Sequence, residues 1–196
     1  TPPAITAGSS TTFCEGGSVT LTSSAGTTYL WSTGATTPSI TVNTAGSYWV
    51  KVKNASGCES VASANTVVTV NALPTQPAIT AGGSTTFCQG GSVTLTSSTG
   101  TTYLWSTGAT TQSITVSAAG SYWVKVKNAS GCESVASANT VVTVNALPAQ
   151  PAITAGGSTT FCEGGSVTLT SSAGTTYLWS TGATTQSITV SAAGSY

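Results

Sequence analysis

Thr28-Tyr29-Leu30-Trp31-Ser32-Thr33-Gly34-Ala35-Thr36-Thr37-Pro38-Ser39-Ile40-Thr41-Val42 is the stretch whose reading decides the fold. Tyr29 and Trp31 fall on one side of an extended chain, Gly34 opens a turn, and Ile40 and Val42 then alternate with threonine. Two short runs of period two joined by a breaker describe strand, turn, strand. Upstream, Ser18 to Ser24 alternates Val19 and Leu21 with Thr20 and Thr22, preceded by the turn Glu15-Gly16-Gly17 and by Thr11 to Cys14. Ala4 to Thr6, between prolines and Gly8, suits a short edge strand or an extended entry segment. Downstream, Ser47 to Lys53 is expected as one strand, with Tyr48, Val50 and Val52 on one face and Trp49, Lys51 and Lys53 on the other. Asn54-Ala55-Ser56-Gly57 reads as a hairpin turn, and Ala64 to Val70 as the returning strand. Nothing has helical periodicity. About seven short strands at turn intervals of roughly 8 to 12 residues predict an all-β, antiparallel β-sandwich.

The pattern recurs. Trp31, Trp105 and Trp179 are evenly spaced, Cys14, Cys88 and Cys162 keep the same interval, and Cys58 returns across it as Cys132. The expected domains are residues 1–76, 77–150 and 151–196, the last a partial repeat. Repeats one and two differ at seven places: Ser9/Gly83, Glu15/Gln89, Ala25/Thr99, Pro38/Gln112, Asn43/Ser117, Thr44/Ala118 and Thr75/Ala149. Such near-identity suggests a recent duplication and a window on a longer array. In the partial repeat, Val167, Leu169, Trp179, Ile188 and Val190 are expected to keep an apolar face exposed.

Composition restricts function. Charged residues make up 4% of the chain, four lysines cancel four glutamates, and 71 of 196 residues are Thr or Ser. Two lysines per complete repeat, without arginine, cannot supply the phosphate contacts that nucleic acid demands. No segment has the roughly 18 apolar residues of a membrane helix, so no membrane insertion is expected. With no His, Asp, Arg or Met, and only Glu15, Glu59, Glu133 and Glu163 as carboxylates, no catalytic residues, no metal site and no cofactor are expected. Glu15 becomes Gln89 in the next repeat, so paired-carboxylate chemistry could not run in every unit. Calcium between repeats would need more carboxylate oxygens than these.

Five cysteines at repeat spacing, two per complete repeat, suit disulfides better than a four-ligand zinc site. One disulfide per complete repeat is expected, Cys14 with Cys58 and Cys88 with Cys132, and Cys162 with a partner outside this sequence. Disulfides imply an oxidising compartment, hence an extracellular or cell-surface location.

Tyr29-Leu30-Trp31-Ser32-Thr33-Gly34-Ala35-Thr36-Thr37, then Ser39-Ile40-Thr41-Val42, Ala45-Gly46-x-Tyr48 and Gly57-Cys58, resembles the immunoglobulin-like or PKD-like repeats of very large Bacteroidetes surface proteins. The resemblance covers the whole chain. It implies tandem immunoglobulin-like sandwiches, export commonly by the type IX route, and roles as adhesin stalks or gliding-associated filaments, with no catalytic residues. The sequence departs from that pattern in lacking a C-terminal sorting domain and in placing Trp49 outward. Strict immunoglobulin topology would also set Cys14 and Cys58 near opposite ends of the sandwich. Either the first segment then wraps differently, or the cysteines pair between repeats or between chains.

The leading expectation is a structural fibre or stalk that self-associates into a filament or bundle. The alternative is a carbohydrate-binding adhesin module in which the outward Trp49 and Trp123 stack on a surface polysaccharide. Asn54-Ala55-Ser56 and Asn128-Ala129-Ser130 match the N-glycosylation pattern but are read first as turns. Lys51 and Lys53, alternating with inward valines, are read as solvated and not as isopeptide donors.

Overall fold

The computed structural model describes residues Thr1–Tyr196, with no helix. In β3 (Val19–Ser23) the valine and leucine are buried while Thr20 and Thr22 face out, as the period-two alternation dictates. β1 (Ile5–Ala7) and β5 (Ser39–Val42) flank β3 on either side, both antiparallel, with Ile5 opposite Ser23 and Val19 opposite Val42. On the outer face the hydroxyls of Thr20 and Thr41 meet at 3.1 Å, a cross-strand pair that satisfies both side chains without charge.

A second set of strands comprises β2 (Thr12–Cys14), β4 (Thr28–Trp31), β6 (Gly46–Tyr48), β7 (Val50–Lys53) and β8 (Thr66–Asn71). β6 pairs with β8, and β7 with β4. The strand expected over Ser47 to Lys53 is therefore broken at Trp49. Opposite β7 the returning chain is irregular: the amides of Val50 and Val52 donate to the hydroxyls of Ser63 and Ser60 at 3.1 Å. Regular pairing resumes only at Thr66, two residues later than the alternation suggested.

The first segment changes sheets. After β1 has paired with β3, the chain crosses over and β2 lies parallel to β8, with Phe13 opposite Val70 and Cys14 opposite Asn71. The sandwich is thus antiparallel except at this one pair. Between the layers sit Val19, Leu21, Trp31, Val42, Tyr48, Val50 and Val68. Trp31 is 1% exposed and its indole N–H donates to Thr37 O at 2.8 Å. Tyr48 closes the edge of the core, donating its hydroxyl proton to Thr44 O at 2.9 Å.

Every one of these pairings returns in the second repeat. β9 (Ile79–Ala81) to β16 (Thr140–Asn145) reproduce the registers, with β10 (Thr86–Cys88) parallel to β16 and a second core around Leu95, Trp105 and Val124. The chain divides into two compact units, Thr1–Asn145 and Ala146–Tyr196. The first holds both of these cores. The second holds one sheet, β17 (Ile153–Ala155), β18 (Val167–Ser171) and β19 (Ser187–Val190). Its apolar face is not left open as expected: Val167, Leu169, Trp179 and Val190 are buried, because Phe161 and Tyr196 pack over them. Ile188 is half-buried, and the exposed large apolar side chains of this unit are instead Leu147, Ile153 and, at 82%, Leu178.

Candidate functional site

Two features of the first unit bring Cys14 toward the second repeat. The parallel pairing of β2 with β8 places Cys14 opposite Asn71, where the chain leaves the first repeat, and Glu15 N donates to Asn71 O at 2.8 Å. In the second repeat, β15 (Val124–Lys127) ends in the turn Asn128-Ala129-Ser130-Gly131. Asn128 Oδ1 accepts from the amides of Ser130 and Cys132 at 3.0 Å, and Gly131 takes φ +79°, a conformation that glycine adopts without strain. The turn is rigidly capped and presents Cys132.

Cys14 and Cys132 form a disulfide, with Cα atoms 5.6 Å apart and a sequence separation of 118. This replaces both expected intra-repeat bonds: Cys14 is not joined to Cys58, nor Cys88 to Cys132, and Cys58, Cys88 and Cys162 are free thiols. Geometry supplies the reason. Cys14 lies beside the end of β8, whereas Cys58 lies before the irregular run that precedes β8. Thirteen largely extended residues from Cys58 to Asn71 span on the order of 30 to 40 Å, against roughly 4.4 to 6.8 Å for disulfide Cα atoms. Pairing between repeats, the alternative that the topology had left open, is the arrangement found.

Polar contacts surround the bond. Asn128 Nδ2 donates to Ala72 O at 2.9 Å, and Gln76 Nε2 donates to Ala136 O at 2.7 Å. Cys132 is 0% exposed, and Val126 and Ser134 beside it are buried. The equivalent residues of the first repeat are more open: Cys58 is exposed, and Val52 and Ser60 are half-buried. One amino-acid stretch thus occurs in two environments, covered and uncovered. The N-glycosylation reading of Asn128 changes accordingly, since its side-chain nitrogen is committed to Ala72.

Trp49 and Trp123 are half-buried at the β6–β7 break and its counterpart. Their carbonyls accept from Ser32 N and Ser106 N at 2.9 Å. They do not line the shallow grooves of the first unit, which run beside β4 and β7 past Tyr29, Leu30, Lys51 and Glu59, and past the equivalent residues of the second repeat. Lys51 Nζ donates to Glu59 Oε1 at 2.9 Å, and Lys125 to Glu133 at 2.8 Å. That bond, with the lysine charge, holds each carboxyl below the usual carboxylate range. The sequence reading treated these lysines as solvated and missed the pairs. The signal was present in the hairpin turn, which sets Lys53 opposite Glu59 and so leaves Lys51 diagonally across from it.

No protein-family model matches the chain, and no curated protein matches it. Among solved structures it is similar to the human OSCAR ligand-binding domain at 16% sequence identity and a TM-score of 0.31, over 72% of this chain and 98% of that one. At that score the likeness adds nothing to the strand pairings themselves.

Proposed function

We propose that the chain is part of a non-enzymatic, extracellular array of tandem immunoglobulin-like repeats, serving as a fibre or stalk. The observation that carries this reading is the disulfide that joins one repeat to the next, with hydrogen bonds on either side of it. A module that worked singly would gain little from covalent attachment to its neighbour, whereas a fibre gains continuity. A disulfide also belongs in an oxidising compartment. The hydroxyl-rich faces are almost free of charge, and apart from β7 and its counterpart in the second repeat the strands carry none of the lysines that usually discourage edge pairing, which favours lateral self-association. The resemblance of Tyr29 to Thr37 and its flanks to Bacteroidetes surface repeats points the same way. Negative-stain electron microscopy tests the proposal: filaments or bundles are expected, and isolated particles at every concentration would overturn it. A glycan array with Trp49→Ala and Trp123→Ala variants tests the carbohydrate alternative, for which binding lost in the variants would speak.

A further inference from the structure

We infer that the free thiols Cys58 and Cys88 are the two halves of the joint formed by Cys132 and Cys14, and that each receives another repeat of this same kind. The inference does not depend on the fibre reading, since a binding array could be joined in the same way. Its basis is a comparison of equivalent residues within one unit. Cys14 sits opposite Asn71 at the end of a parallel β2–β8 pair, and Cys88 sits opposite Asn145 at the end of the matching β10–β16 pair. Cys132 follows a turn capped by Asn128, and Cys58 follows the same turn, capped by Asn54 Oδ1 at 3.0 Å to Ser56 N and Cys58 N. Backbone, register and cap are alike. Only the covering differs: in the joint Cys132 is fully buried and Cys14 half-buried, and the two are bonded, whereas Cys58 and Cys88 are exposed and free. The Asn54 side-chain nitrogen corresponds to the one that Asn128 donates to Ala72, so the uncovered face carries a docking donor as well as a thiol.

Closing such a joint needs an oxidant, and a small-molecule disulfide suffices. The Cys58 thiolate attacks oxidised glutathione, giving a mixed disulfide and releasing one glutathione thiol. The Cys88 thiolate of the other repeat then displaces the second. Two protein thiols lose two protons and two electrons, and one donor disulfide becomes two thiols. Pairing is directional, a Cys58-type face with a Cys88-type end.

Two versions of the full chain test this, each retaining Cys14 and Cys132. One carries Cys88→Ser and Cys162→Ser and keeps Cys58; the other carries Cys58→Ser and Cys162→Ser and keeps Cys88. Mixed in a glutathione redox buffer and run on a non-reducing gel, they should give a covalent heterodimer in at least about tenfold excess over either homodimer. A chain with Cys58→Ser and Cys88→Ser, keeping Cys162, which lies in no paired strand, should give less heterodimer than the second version. Adding Asn54→Asp to the first version keeps the cap oxygen but removes the donor, and should lower the yield severalfold. Homodimers in comparable yield, or no heterodimer with Cys88, would overturn the inference.

Discussion

Gly26 lies under Val52 so closely that a Cβ added there would meet Val52 Cβ at 2.7 Å, whereas the equivalent Gly174 meets nothing nearer than 3.6 Å. Gly26→Ala should therefore destabilise the first repeat by about 1 to 3 kcal/mol through overpacking, while Gly174→Ala should be nearly silent; urea melts of the two variants would check the contrast. Trp31 invites a second comparison. Trp31→Ala removes a fully buried indole and should cost about 3 to 5 kcal/mol. Trp31→Phe keeps most of the volume but leaves Thr37 O without its donor, and should cost less, about 1 to 3 kcal/mol. Residues of this kind were legible in the sequence. Alternation alone puts Val19, Leu21 and Val42 on inner faces, because each has polar neighbours on both sides, and puts Trp31 on the same face of its run as Tyr29, two residues before it. Trp49 was not legible, for its exposure depends on where the chain leaves one partner strand for another.

That change of partner belongs to the scale of elements. β6 and β7 are contiguous apart from Trp49, yet they pair with β8 and β4 respectively, and the gap opposite is bridged by Ser60 and Ser63, eight and thirteen residues further on than the amides they accept from. No local pattern announces this, since serine is common everywhere in the chain. Ser137 is 7% exposed and its hydroxyl accepts from Val124 N at 3.1 Å. Ser137→Ala should leave that buried amide unpaired and cost about 1 to 3 kcal/mol by denaturant unfolding. The Lys51–Glu59 pair of the first repeat behaves differently. Because the folded carboxyl titrates below its ordinary range, its contribution is present above that range and is lost as pH falls through the folded pKa. With both side chains at 35% and 40% exposure, solvent screens most of it. Replacing Glu59 and Glu133 by Gln should flatten the acid limb of a pH–stability curve slightly and leave neutral-pH stability nearly unchanged.

For the molecule as a whole, the informative element is the parallel β2–β8 pair. Sequence periodicity gives faces, not partners, so it could not show that Cys14 sits at the exit from its repeat. Counting two cysteines per repeat favoured a bond inside each; the long-range register decided otherwise. A loop of 118 residues closed in the unfolded chain is worth about 5 kcal/mol on the chain-entropy model. Because each repeat of the first unit has its own core, that stabilisation acts on both at once. Reduction, or Cys14→Ser, should lower the thermal midpoint and turn one cooperative transition of the first unit into two overlapping ones, as calorimetry of the oxidised and reduced chains would show. Cys58→Ser should leave the profile unchanged, since Cys58 has no bond to lose.

The same disulfide alters what a protease can accomplish. All four lysines, Lys51, Lys53, Lys125 and Lys127, lie between Cys14 and Cys132 in sequence, inside a closed covalent ring. A single tryptic nick at any of them opens the ring without separating its ends. Such a molecule should migrate near full length on a non-reducing gel and fall apart only when reductant is added. Complete digestion goes further. Residues 1–51 should stay attached to residues 128–196, while residues 54–125, which carry Cys58 and Cys88, are set free. If those two cysteines hold neighbouring repeats, the middle fragment is retained as well, and successive rings, each offset by one repeat, cover one another's cut sites. An array built in this way would survive a first cleavage at any lysine, and its remaining length would be set by the redox state of its surroundings more than by the number of nicks.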